Sequence, residues 1–392
     1  MATLLKHKNL TKLTILMSSM MTMMAGAVVA PSLPNITSVF QQVPHAGLLT
    51  RLIITLPALF MALMSPLAGW FIDRFGRKNL ILCSYLLYAA AGTSGYYLHD
   101  LYPILAGRAF LGIAVAGIMT TGITLVGDYF QGGERTAFLG FQGTFIALGG
   151  VVFISLAGFL ADIHWQLPFL IYLFSLLVFC MAIPFITEPV RKGPERPAGT
   201  GPSAGAAAPY NRGMIYLLYG LVFLGIVFFY MVPVQIPYML RTIGVSNTLT
   251  GLSISSMTLA SACISYNYHR IKRRLSFPAV YATAFAVIAC GYCIIALGSV
   301  LPHFITGLVI SGLGIGLLMP SGNLWAMELV PMEIRGRIVG RVSSSMFLGM
   351  FLSPVLLQPV VDRFSLPGAF LCASVMMSGM CLALILLKGK MR

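Results

Sequence analysis

Few side chains in this 392-residue chain could do chemistry, and most of those are charges set at the ends of apolar runs. The densest group is Gly69-Trp70-Phe71-Ile72-Asp73-Arg74-Phe75-Gly76-Arg77-Lys78, where one acid and three bases share six positions. Further along, Asp128 precedes Arg135 and Glu328 precedes Arg335 by the same interval. Carboxylates and guanidinium groups so placed can form charge-assisted pairs that hold two elements together and let them go again. Covalent chemistry is not on offer. The chain has no Ser-His-Asp grouping, no metal-ligand spacing and no G-x-x-x-x-G-K-[ST] phosphate loop, so the expectation is no enzyme and no cofactor.

Other candidates lie inside the apolar runs. Arg108 stands about two turns into one of them, roughly 10 Å deep at 1.5 Å per residue. A guanidinium in hydrocarbon is costly, which makes it a functional candidate, with snorkelling to the nearer surface as the alternative. Facing a cavity without a counter-charge, it would favour an anionic solute. Gln142, Gln235, Asn323 and Trp325, with Met20–Met24 and Phe228–Tyr230, are the groups that could line a pliable, mostly apolar pocket. No Asp, Glu, Lys or His falls near the middle of any run. Arginine does not give up its proton, so the residues themselves supply no mid-depth proton carrier.

The elements that position these groups follow from composition. The chain is 58% hydrophobic and 9% charged, whereas a soluble domain carries about a quarter of its residues as charges. Hydropathy resolves twelve runs, at 12–34, 47–71, 79–98, 101–126, 138–161, 165–187, 213–240, 247–268, 277–299, 301–327, 341–362 and 366–387. About 20 apolar residues cross a bilayer as a helix, and none of the runs alternates with period two, so an all-α membrane protein is expected and a barrel is not. The net charge of +15 could suggest nucleic acid. However, 21 of the 25 Lys and Arg residues fall on one face of the bundle, while Arg51, Arg241 and Arg363 mark the other. That bias is the positive-inside pattern; it puts both termini in the cytoplasm and makes a nucleic-acid partner unnecessary. Residues 1–30 have the look of a secretory leader ending at Ala27-Val28-Val29-Ala30, but removing them would leave eleven spans, so they are expected to stay as the first span. The seven cysteines all fall within spans and are expected to be packing residues.

Residues 188–212, rich in Pro, Gly, Ala and charge, form a linker between a first half (1–187) and a second half (213–392). The halves correspond at an offset of 200: Gly107 with Gly307, Gly112 with Gly312, Asp128 with Glu328, Arg135 with Arg335, Asp162 with Asp362. Parallel duplication around a central cavity is the architecture of alternating access.

The loop at 69–78 resembles the G-x-x-x-D-R-x-G-R-[RK] signature of the major facilitator superfamily at every defined position. Arg108 followed by Gly112 is similar to the family's second motif, and Ala30-Pro31-x-Leu33-Pro34 to the end of its first span. The twelve-span drug:proton antiporter group is the most similar. That resemblance implies the major facilitator fold in a cell membrane, a small-molecule substrate, protons as coupling ion, and a monomer working by export. It also implies a latch, with Asp73 at the N-terminus of the eleventh helix near Arg341, Arg77 forked onto Asp128, and Gly69 and Gly76 permitting close approach and a tight turn. In the second half His269 and Lys272 replace Asp73 and Gly76, so one latch is expected. The family's G-x-x-x-G-P-x-x-G-G antiporter pattern in span five is eroded to Gly149-x-x-x-Phe153-Ile154-x-x-Ala157-Gly158. Export of an amphiphile leads; an exporter or uniporter of an anionic metabolite and a transporter-like receptor are the alternatives.

Overall fold

The computed structural model describes residues 8–189 and 211–387, except for the side chains of Pro66, Asp73, Thr136, Met332, Glu333 and Leu387. Most of the expected linker therefore lies outside the described residues. The rest is helical. α1 (Lys8–Ala27) continues through a 3-10 turn at Ala30–Ser32 into Leu33–Val39, where Pro31 and Pro34 break the backbone ladder. Then come α2 (Ala46–Phe75), α3 (Arg77–Gly92), α4 (Leu101–Tyr129), α5 (Gly132–Ile163) and α6 (Phe174–Phe185, entered by a 3-10 turn). The second half has α7 (Arg212–Thr242), α8 (Asn247–Lys272), α9 (Phe277–Leu297) and α10 (Leu301–Leu329). A last continuous helix, Met332–Leu387, is turned at Ser365 (φ 66°, ψ 173°) into α11 (332–364) and α12 (366–387). Ten of these stretches are long and apolar enough to cross a membrane as they stand. The tenth holds two passes, and α3, at 16 residues, completes its pass through the short helix Ser94–Tyr97.

The expected spans coincide with the helices through their apolar centres and fall short at the ends. α5 begins six residues before 138 and α11 nine before 341. Hydropathy registers only the part of a helix that sits in hydrocarbon, whereas Gly132–Arg135 and Met332–Arg337 are polar turns beyond it.

The internal repeat is visible in the packing. A side chain on Gly112 would strike the carbonyl oxygen of Pro57 at 2.3 Å, joining α4 to α2; one on Gly312 would strike that of Met257 at 2.4 Å, joining α10 to α8. Both glycine and carbonyl are displaced by the same 200 positions, so one helix contact was built twice. Absence of a Cβ is what lets the backbones touch. Each half has its own apolar core, around Tyr88, Tyr172 and Phe169 in the first and Tyr281, Phe285 and Tyr292 in the second.

Candidate functional site

Two regions hold the candidate residues: the basic end, which carries the 69–78 loop, and the seam along which the halves meet.

At the basic end the chain reverses between α2 and α3 at Gly76, whose φ of 89° and ψ of 164° suit glycine alone. A Cβ there would also stand 2.9 Å from the carboxylate of Glu188. That carboxylate accepts from the backbone N–H of Arg77 (2.8 Å) and of Lys78 (2.7 Å), closing the first turn of α3 where orphan N–H groups and the helix dipole favour an anion. Arg77 then reaches Asp128 at the end of α4 through Nε at 3.2 Å, one N–H rather than the expected fork. Both side chains are partly exposed, so the pair is worth at most about 1 kcal/mol and works as a positioning device. Arg74 folds back over Trp70 and Phe75. Arg135 covers the last turn of α4, within 3.6 Å of where a side chain on Gly127 would stand. Glu134 binds Lys8 and Lys12 of α1, each at 2.9 Å.

The other part of the expected latch, Asp73 against the start of α11, falls on side chains outside the described residues. Among the described residues, a Cβ on Gly69, on Gly140 of α5 or on Gly340 of α11 would meet nothing within 4 Å. The close approach those glycines permit is not made in this pose. The second half repeats little of the loop: Glu328 is exposed, Arg335 has a buried Nε without a partner, and the ion pairs among the described residues all belong to the first half.

The far end of the seam is closed instead. Asp162, at the tip of α5, accepts from the backbone N–H of Asn247 (2.8 Å) and Thr248 (2.9 Å) and from the Thr248 hydroxyl (2.5 Å), capping α8 across the halves. Below it, side chains on Gly158 and Gly251 would strike the carbonyl oxygens of Asn247 and Ile154 at 2.5 and 2.6 Å. Ser155 and Ser255 hydrogen bond one turn further in, at 2.9 Å. The surviving terminal glycine of the eroded span-five pattern is therefore where the two backbones meet. Between α2 and α7, Arg51 Nε donates to Gln235 Oε1 (3.2 Å) and its guanidinium stacks 4.3 Å over the ring of Tyr238. Thr37 hydrogen bonds the Tyr238 hydroxyl (2.7 Å), and Arg241 reaches Asn35.

The expected pocket residues separate. Gln235 is on the seam and fully buried, while Gln142 donates to Ser19 of α1 (2.8 Å) and is half-buried. Asn323 is half-buried, with an amide oxygen that has no partner. Trp325 is turned into the core of the second half, stacked on Phe277 at 5.7 Å and against Tyr281. Arg108 is 0% exposed and does not snorkel. Its Nη2 donates to the Gly92 carbonyl (3.1 Å), and its guanidinium lies 4.6 and 4.9 Å from the rings of Phe169 and Tyr172. It faces α3 and α6, inside the first half, rather than the seam. The expectation of a cation in the solute path is thus corrected in its place: the guanidinium lies inside the first half beside aromatic rings, with Nε and Nη1 buried and without a hydrogen-bond partner.

Arg51, Glu188 and Asp162's cross-half role went unread. Arg51 served only to mark the face opposite the basic end, although Gln235 and Tyr238, three apart on one face of α7, could have suggested a buried partner.

Comparison with known proteins agrees with this geometry. The family model described as Major Facilitator Superfamily matches residues 15–234 and 217–390, so the chain belongs to that superfamily. It is 28% identical over 189 residues to "Multidrug resistance protein 1" of Bacillus subtilis (strain 168), covering 48% of each chain. It is 35% identical over 125 residues to the "Bacillibactin exporter" of the same organism, covering 30% and 31%. The alignments thus span about half, or less, of the curated relatives. The fold is shared with the crystal structure of a D-xylose-proton symporter (TM-score 0.75, 15% identity, 95% and 97% covered). The family and these neighbours are transporters rather than enzymes, of the multi-pass kind found in cell membranes.

Proposed function

We propose that the protein is a secondary transporter that moves small amphiphilic solutes across the cell membrane by alternating access, in the export direction. The observation that carries this reading is the asymmetry of the seam. The cross-half hydrogen bonds of Asp162, Arg51, Ser155, Thr37 and Arg241 gather at the far end, whereas Gly69, Gly140 and Gly340 stand uncontacted at the basic end. A duplicated bundle closed at one end and parted at the other is one of the two poses that such a cycle needs. With the Lys/Arg-rich face in the cytoplasm, the pose opens inward. Residues 1–187 and 213–392 then rock as two bodies about the linker at 188–212. The similarity to a multidrug resistance protein supports export and varied amphiphiles.

Proton coupling rests on kinship, since the described acids stand at or beyond the ends of the spans. An anionic solute no longer finds support in Arg108; the seam's buried cation is Arg51. The test is flux in proteoliposomes under an imposed pH gradient, with neutral, cationic and carboxylate-bearing fluorescent amphiphiles. Gradient-dependent uptake of the amphiphiles is the expected result. Uptake indifferent to the gradient would make the protein a uniporter, and ligand binding without uptake would make it a receptor.

A further inference from the structure

A narrow cleft runs into the second half between α7, α9, α10 and α11. Ile226, Phe229, Ile315, Met319, Gly322 and Met346 line it, and none of its lining residues is charged. It borders the seam, because Ile226 packs with Ala58 of the first half in a cluster that Phe229, Met319 and Met346 also join. Its one polar lining group is the hydroxyl of Tyr281, which is 1% exposed and has no hydrogen-bond partner. The ring is fixed between Phe285 and Trp325, at 6.0 and 5.4 Å, so the hydroxyl cannot turn away to find one. A Cβ on Gly322 would stand 3.4 Å from that oxygen and 3.1 Å from Val222, so the glycine spares the hydroxyl one more apolar neighbour. Asn323, next along α10 and on one face with Met319, has the second unpartnered group nearby.

An unpaired hydroxyl in an apolar wall is unfavourable, and such groups ordinarily have a partner. We propose that the partner is the solute: the cleft takes the ring-bearing neutral end of an amphiphile that carries a hydrogen-bond acceptor (a ketone, ether or ring nitrogen), to which Tyr281 donates. A charged end is excluded, because nothing in the wall would replace its hydration. As it stands the cleft leaves a water-sized sphere only about 20 Å³ of freedom, so Met319 and Met346 must swing aside for a ring. The inference rests on the transporter reading for its purpose, though its test does not.

The probes are benzophenone and diphenylmethane, alike in shape and differing in one carbonyl. Binding is read from Trp325 fluorescence in a W70F/W165F background of the full chain. Benzophenone should bind more tightly than diphenylmethane. Tyr281→Phe should weaken benzophenone about three- to tenfold and leave diphenylmethane unchanged. Gly322→Val, which fills the cleft, should weaken both. Equal affinities for the two probes, or a Tyr281→Phe variant that binds benzophenone as before, would overturn the proposal and mean that the hydroxyl meets only a water. Proteoliposome flux on the same protein separates the two readings. Tyr281-dependent binding without flux keeps the cleft and removes the transporter; flux with Tyr281-independent binding does the reverse.

Discussion

Gly76 shows how much a single residue sets at the basic end. Its backbone lies where only glycine is comfortable, and a methyl group would also push into the Glu188 carboxylate that caps α3. Gly76→Ala should therefore lower stability by about 1–3 kcal/mol. Gly140→Ala, at a helical position with nothing within 4 Å, should be neutral or stabilising by about 0.5–1 kcal/mol. Thermal unfolding of the two variants in the same detergent checks the contrast; equal midpoints would show that the Gly76 turn is not under this constraint. The Arg77–Asp128 pair was expected only through the resemblance of the 69–78 loop to a family signature, since nothing local links positions 51 apart. Glu188 was not, because a lone acid at the edge of a Pro-rich linker carries no periodicity that would assign it to a helix terminus 111 residues away. Arg108 was legible as unusual but not in its direction: the rings beside it come from the 3-10 turn at Leu167–Leu173 that leads into α6, and no local pattern reports which side of α4 faces them.

At the scale of elements, the contact between α5 and α8 governs whether the far end can stay shut. Gly158 and Gly251 let the backbones touch, and Asp162 supplies a charge-assisted cap to α8 from the opposite half. Gly158→Val puts two methyl groups where the Asn247 carbonyl now sits, so the far end should be held open. Asp162→Asn keeps the shape and one acceptor but loses the charge, weakening closure by about 1 kcal/mol at this exposed site. Spin labels on either side of the seam at its far end should report longer mean distances in both variants, more so in Gly158→Val. Wild-type distances in both would mean that this contact does not control the pose. The helices themselves were largely written in the hydropathy, since hydrocarbon demands that backbone groups be paired within each span. Their polar first turns were not, so α11 begins nine residues before the expected 341.

For the whole molecule, the sequence encodes the contacts of more than one pose at once, so it could not say which of them is made. In the proposed cycle the 69–78 loop and the glycines at 140 and 340 would serve closure at the basic end, while Asp162, Gly158 and Arg51 make the contacts at the far end. Two-state function requires that neither set hold permanently, and freezing one of them is the direct test. Ser155 and Ser255 face each other across the seam with their oxygens 2.9 Å apart, a separation from which two sulfurs can be brought to bonding distance by small side-chain shifts. In a background with the seven native free cysteines replaced by serine, the S155C/S255C pair should cross-link on oxidation. Cross-linking should abolish flux, and reduction should restore it. Ligand entry from the basic end should survive the cross-link, because the two serines it joins lie at the far end of the seam. Full flux through a cross-linked protein would mean that the halves need not separate at the far end, and alternating access would fail as the mechanism.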